Sequence, residues 1–427
     1  MTTAHYDTLE TRSPETRERE QMQALRTHLT VAQAHATALA KQLSGIHIHE
    51  LHGYADLVKI PVVRKSELLA AQQAARDNGS DPFAGYAVAS YGTHAANTKI
   101  YAHKVFASPG PIYEPEGASR DYQRVARALH AAGVKRGDLL HNSFSYHMTP
   151  GAWILDAGAE AIGAAVFPAG VGQTEQQISA MRDLKPDGYV GTPSFLRILL
   201  EKAEELGTPI TSLKKALVSG EYFPPQTRAL FAERGITALQ CYATADVGLI
   251  AYEALSAHQV QAGMFVDEGI IVEIVRPGTN TPVPAGEVGE VVVTTLNADY
   301  PLLRFGTGDL SALLAEPSAC GRSGPRIKGW MGRADQTAKV KGMFVHPAQI
   351  AQICARHPEI SRARLIITNP EQRDLMHLQF EAQGSVAEAS LLASIRDITK
   401  LSSTVEAMPA GALANDGKVI DDLRVYT

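Results

Sequence analysis

Residues 164–193 read AAVFPAGVGQTEQQISAMRDLKPDGYVGTP, and this stretch decides the fold. Ala164 to Pro168 is a short apolar run of strand length, and Thr174 to Leu184 carries Ile178, Met181 and Leu184 at helical spacing. Tyr189-Val190-Gly191 returns to strand, and Thr192-Pro193 opens a helix through Leu196, Leu199, Leu200, Ala203 and Leu206 that Gly207 closes. The alternation continues outward. Ala216-Leu217-Val218 is a strand, Pro225 to about Arg234 a helix, and Ala238 to Tyr242 a further strand. Strands alternating with amphipathic helices imply a parallel sheet with crossover helices.

Upstream, Ser13-Pro14-Glu15 reads as a helix start, with a capping hydroxyl and then a proline where no backbone N–H is needed. Met22, Leu25, Leu29, Ala32, Ala36, Leu39 and Leu43 follow on one helical face, which predicts a single packing helix ending at Ser44-Gly45. Downstream of Asp267 the period changes to two at Ile270, Val272 and Ile274, Pro277-Gly278 turns, and Val291 to Thr295 returns as a β-rich subdomain. Beyond Gly342, a helix near Pro347–His357, strands at Arg364–Thr368 and Met376–Glu381 and a helix at Glu388–Ile398 form a small α+β unit.

Length and composition narrow the function. A chain of 427 residues exceeds one ordinary domain, and 45% apolar with 20% charged residues suits a globular protein with a large core. The net charge of -5 with no lysine- and arginine-rich run argues against nucleic acid or an anionic membrane as partner. The apolar stretch around Trp153 to Val166 is broken by Asp156 and Glu160, and no signal-peptide pattern opens the chain. Three scattered cysteines give no disulfide framework, so the expected location is the cytoplasm.

Ligands of open parallel sheets bind beyond the carboxyl ends of the strands. Polar, glycine-bearing segments stand there: Phe167 to Glu175, Ser219-Gly220-Glu221, and Tyr242-Ala243-Thr244-Ala245-Asp246. Arg304-Phe305-Gly306-Thr307-Gly308-Asp309-Leu310 closes the β-rich part. Gly170-Val171-Gly172 has Glu175 at the third position of a dinucleotide fingerprint, which speaks against NAD. Taken in order, QTEQQI, GTPSFL, SGE, YATADVG, RFGTGDL and GRADQTAKVKGMFVHPAQI resemble the motif series of phenylacetate–coenzyme A ligases, members of the adenylate-forming superfamily.

The resemblance implies an α/β fold of two domains. Residues 1–334 would form a large AMP-binding domain with parallel-type α/β sheets plus the β-rich subdomain, and 335–427 a small mobile α+β domain. It implies ATP or AMP, Mg²⁺ and coenzyme A as cofactors, and a small carboxylic acid, aromatic by inheritance, as substrate. A homodimer is expected on the same ground.

Residue by residue, Ser219-Gly220-Glu221 would pack on adenine, and Tyr242 with Ala243 and Thr244 would stack on and border the base. Asp246 would bind Mg²⁺ as a catalytic and metal residue, Asp309 would hold the ribose, and Arg333 would stand near the nucleotide. Asp335 would be the hinge and Lys418 the catalytic lysine reaching the α-phosphate. Phe144, Tyr146 and His147 fall in the region that shapes the acyl pocket.

The chain also departs from the pattern. Where relatives carry a serine-, threonine- and glycine-rich phosphate loop, Phe106 to Gly117 holds three prolines and two glutamates, Glu114 and Glu116. Prolines remove donors and glutamates would repel a triphosphate, leaving Ser108 and Gly110 as the candidate phosphate-binding residues. Asp246 is one methylene shorter than the usual glutamate but can still ligate Mg²⁺. Cys320 stands alone where some relatives bind zinc, with Ala254 and Met264 at the matching positions, so no zinc is expected. Two rival readings remain open: an adenylating enzyme with another acceptor, and a non-catalytic relative that binds nucleotide or acyl-CoA.

Overall fold

A computed structural model describes residues 5–424 other than 96–98, 109, 258, 333, 335, 337, 342 and 371–373. In chain order, the elements that matter begin with α1 (Pro14–Ala32), α2 (Lys65–Asp77) and a hairpin of β1 (Lys104–Ser108) and β2 (Ile112–Glu116). Then come β3 (Leu139–Asn142), α3 (Gly151–Ile162), β4 (Ala165–Pro168), α4 (Thr174–Leu184) and β5 (Gly188–Gly191). α5 (Pro193–Glu205), β6 (Lys215–Val218), α6 (Pro225–Glu233), β7 (Thr237–Thr244) and β8 (Gly248–Tyr252) complete the series.

β4, β3, β5, β6 and β7 lie side by side in that order and run parallel, joined by the crossover helices the sequence alternation calls for. β8 folds back antiparallel on β7. Two apolar clusters line the sheet. One holds Leu140, Val190, Leu217 and Leu239 under α3, and the other Tyr189, Ala216 and Val218 under α4 and α5.

Ser13 caps α1 by accepting from the Thr16 amide at 3.2 Å. The predicted helical face is right and the predicted rod is wrong. Met22, Leu25, Leu29, Ala32, Ala36, Leu39 and Leu43 are all buried, yet α1 stops at Ala32 and a separate turn of helix spans Thr37–Gln42. The break follows from a distant segment: Ala38 donates to the Gly85 carbonyl at 3.0 Å, and a Cβ on Gly85 would meet Thr37 Oγ1 at 2.1 Å. Only a glycine there, with its φ of +74°, lets the second chain approach this closely.

Further on stand β9 (Ile270–Val275), β10 (Gly289–Thr295) and β11 (Phe305–Ser311), in sheet order β11-β10-β9. The strict alternation expected at 270–274 gives way to burial in pairs, with Ile270, Ile271, Ile274 and Val275 inside. The C-terminal elements are α7 (Pro347–Arg356), β12 (Ile360–Thr368), β13 (Leu375–Ala382), α8 (Glu388–Thr399), β14 (Thr404–Met408) and β15 (Ile420–Asp422). Their sheet runs β14-β13-β12-β15 around a core of Ile350, Leu365, Leu378, Leu391 and Ile395.

Contacts gather the chain into two compact units. One comprises Met1–Val272, Val293–Phe305 and Leu314–Gly329, and the other Glu273–Val292, Gly306–Leu313 and Trp330–Thr427. No helix among the described residues is long and apolar enough to cross a membrane.

Candidate active site

The register of the parallel sheet brings the glycine-bearing segments together. Val218 on β6 faces Gln240 on β7, so Ser219 follows beside Cys241, and its hydroxyl donates to the Cys241 carbonyl at 2.8 Å. Gly220 turns the chain with φ +84°, a conformation that favours glycine, and a Cβ there would touch Phe144 and Thr192. Three strand ends thus converge at Gly220: β3 through Phe144, β5 through Thr192, and β6 itself.

Several candidate side chains at this rim already have internal duties. Glu221 accepts from the Ser194 amide at 2.6 Å, where its charge complements the first turn of α5. Tyr242 is buried at the end of β7 next to Ala243, and the Thr244 hydroxyl accepts from the Val247 amide at 3.3 Å. Tyr146 donates to Asp156 at 2.8 Å, and burial holds the Asp156 carboxyl above its ordinary range. His147 is exposed, with its amide on Ser145 Oγ at 3.2 Å. His141 packs between Phe167 and Tyr189 beside Gln177, and burial lowers its pKa.

The segment read as an altered phosphate loop is the β1–β2 hairpin. Ser108 pairs with Ile112 across it, and Gly110 lies at its tip. Pro115 is tolerated because a two-stranded ribbon has two open edges. The two glutamates that sequence counted as repulsive point to different partners. Glu116 takes the Lys104 ammonium at 2.5 Å. Glu114, 2% exposed, turns inward and accepts from the Ser108 hydroxyl at 2.7 Å. Ser108 is therefore spent on Glu114. The hairpin also holds the loop that precedes α3, since the Ala107 amide donates to the Met148 carbonyl at 2.9 Å.

Beneath the hairpin lies a cluster that the motif series did not include. Lys65, the first residue of α2, reaches Asp246 at 2.6 Å, and the Asp246 side chain is 1% exposed. Glu114 lies against Asp246, and burial with that neighbouring charge raises its pKa. Glu114 Oε2, Asp246 Oδ1 and the Tyr300 hydroxyl are buried without a hydrogen-bond partner. Burial, then the charges of Glu114 and Asp246, push the Tyr300 phenol up as well. Lys65 and Tyr300 left no signal in the sequence, because Lys65 meets Asp246, and Tyr300 feels its charge, only through the fold. Among the described residues no group of three or more His, Cys, Asp or Glu side chains gathers to hold a metal.

Asp309 and Lys418 fall in the other unit. Asp309 accepts from the Trp330 indole at 3.0 Å. Lys418 pairs with Asp421 at 2.8 Å and is half exposed. Its loop is seated firmly: Gly417 has φ +72°, and a Cβ there would stand 2.6 Å from Val288 Cγ1. Gln336, which sequence reading passed over, donates to the Gly417 carbonyl at 2.8 Å and accepts from the amides of Val419 and Ile420. Arg333 and Asp335 lie outside the described residues.

Comparison with known proteins gives this arrangement a context. The family model described as "AMP-binding enzyme" matches residues 163–297, the heart of the parallel sheet and the start of the β-rich part. A phenylacetate-coenzyme A ligase of Thermus thermophilus is 30% identical over 74% of this chain and 70% of its own length. One from Aromatoleum evansii is 31% identical over 75% and 71%. A solved 2-hydroxyisobutyryl-CoA ligase shares the fold, with a TM-score of 0.69 and 22% identity over 96% of this chain and 92% of that one.

Proposed function

The chain belongs to the phenylacetate–coenzyme A ligase family of AMP-binding enzymes, and from that membership we propose that it activates a carboxylic acid as its adenylate and passes the acyl group to coenzyme A. A carboxylate oxygen attacks the ATP α-phosphorus, the bond to the bridging oxygen breaks, and pyrophosphate leaves. The coenzyme A thiol then loses its proton, attacks the acyl carbon, and AMP leaves. An aromatic acid of the phenylacetate type is the substrate we favour.

The observation that carries this reading is the convergence at Gly220 of three parallel-strand ends, with Tyr242 to Thr244 on the neighbouring strand and Asp246 in the turn after it. A planar base can lie against backbone there, because Ser219 and Glu221 commit their side chains to the Cys241 carbonyl and the Ser194 amide. In this proposal Tyr242, Ala243 and Thr244 border the base, and Gly110 approaches the phosphates while Ser108 holds Glu114. Phe144, Tyr146 and His147 shape the acyl side. Asp309 holds the ribose and Arg333 stands near the nucleotide. Asp246 fits a Mg²⁺ ligand, since one of its buried oxygens has no hydrogen-bond partner. The ion would offset the charge of the phosphates. Lys418 must leave Asp421 to reach the α-phosphate, and preorganised positive charge there is what an anionic transition state needs. We place the boundary between the large and the mobile domain at 334/335, with Asp335 as hinge, and the enzyme in the cytoplasm as a homodimer.

The test is pyrophosphate release from ATP and Mg²⁺ across a panel of aryl acids, with and without coenzyme A. Acid-dependent release that Lys418→Ala lowers at least about a hundredfold is expected, with thioester formed when coenzyme A is present. Release without thioester would move the acceptor to an amine or a carrier protein. Folded protein that binds adenine nucleotide yet stays silent on every acid would sink the reading.

A further inference from the structure

The Glu114–Asp246 contact needs an occupant. Two carboxylates face one another in a buried pocket, and each presents an oxygen with no hydrogen-bond donor. Lys65 reaches Asp246 alone and offsets one of the two charges. Ser108 donates to Glu114 Oε1, and no donor reaches Oε2, so the Glu114 carboxyl meets Asp246 with only a proton or a cation to join them. The Tyr300 hydroxyl, in a side chain only 3% exposed, has no partner either, and its phenol feels the charge of both acids. Leaving one negative charge and three unsatisfied oxygens in a low-dielectric pocket is costly unless a cation or a proton sits among them.

We propose that Glu114 and Asp246 together hold one divalent cation of the Mg²⁺ or Mn²⁺ type on the protein itself, before any nucleotide arrives. Oxygen-only donors select such hard ions, and Mg²⁺ is commonly held by one or two carboxylates with water or phosphate completing its shell. The charge count then changes sign. Glu114, Asp246 and Lys65 sum to one negative charge, and a divalent ion makes the pocket positive by one. The hairpin that replaces a glycine-rich phosphate loop thus becomes attractive to a polyphosphate through a preloaded ion. Glu114 is the residue that makes the difference, and it comes from the segment where the chain departs most from the family's motif.

The inference deepens the proposed role of Asp246, but its test uses no nucleotide and no acid, so the two readings fail separately. Metal-stripped full-length protein is titrated with Mn²⁺, with free ion followed by electron paramagnetic resonance and Mg²⁺ used as competitor. One Mn²⁺ per chain, displaced by Mg²⁺, is expected. Glu114→Gln should weaken binding by more than the roughly tenfold that losing an outer-shell partner costs, and Asp246→Asn likewise. Glu116→Gln, whose carboxylate is committed to Lys104, should bind as the wild type does. Circular dichroism and melting curves check that each variant is folded. If the folded wild type binds no Mn²⁺, or Glu114→Gln binds it equally well, a shared proton occupies the pocket and the proposal is wrong.

Discussion

Two lysine–aspartate pairs of nearly equal length have opposite characters. Lys65 and Asp246 meet at 2.6 Å across 181 residues, with the lysine side chain 30% and the aspartate 1% exposed. Lys418 and Asp421 meet at 2.8 Å three residues apart, with the lysine side chain 48% and the aspartate 17% exposed. An exposed pair contributes little, because water and salt screen it and two long side chains must be ordered. A buried pair is different. Its formation can be nearly neutral, yet removing one partner strands a charge and costs about 3–5 kcal/mol. Distance therefore tells little about either contact, and burial decides which one is structural and which one can let go.

The comparison breaks most sharply at Lys65. Lys65→Met leaves the buried Asp246 without its ammonium, and the unit that contains it should lose about 3–5 kcal/mol of stability. Trp153 lies in that unit and Trp330 in the other. Denaturant titration followed by Trp153 fluorescence in a Trp330→Phe background isolates the effect. A loss below about 1 kcal/mol would mean that water reaches the pair.

Asp121 sharpens the comparison, since it is a half-buried carboxylate held by backbone donors rather than by a lysine. It accepts from the amides of Val125 and Ala126 at 2.8 and 3.0 Å, and burial pushes its pKa up to about 6. With the folded value above the unfolded one, the native state binds the extra proton. Stability linked to this group is present at low pH and falls as pH rises from about 4 to about 6. Relative to wild type, Asp121→Asn should therefore gain about 2–3 kcal/mol between pH 4 and pH 7. Denaturation midpoints of both proteins across that range provide the check, and parallel curves would contradict the assignment.

The smallest effect belongs to Lys418. Lys418→Ala should change stability by less than about 1 kcal/mol, although the same substitution is expected to abolish most adenylation. A large destabilisation would make Lys418 a structural residue and turn the contrast around.

The central sheet was legible because each of its strands is a short apolar run bounded by glycine or proline, and each helix shows its apolar face in sequence. The face of α1 was legible for the same reason. Its break was not, because Gly85 causes it from a segment more than forty residues downstream of Thr37. At the site, positions were readable and orientations were not. Nothing local in Ser219-Gly220-Glu221 reveals that Ser219 is tied to the Cys241 carbonyl and Glu221 to the Ser194 amide, since both partners come from other strands' ends. The orientation of Glu114 was hidden for a related reason. Composition marks it as repulsive, whereas the antiparallel register of the hairpin places it beside Ser108 and aims it inward. Lys65 and Tyr300 carry no local pattern at all.

The inward turn of the rim side chains has an entropic consequence. Tyr146, Ser108 and Ser219 each have a partner already, so their rotamers are fixed when the protein folds. Ordering a flexible side chain during association costs about 0.5–1.5 kcal/mol. A ligand settling on this rim meets frozen side chains and bare backbone, and little of its binding energy is diverted into stiffening the wall it touches.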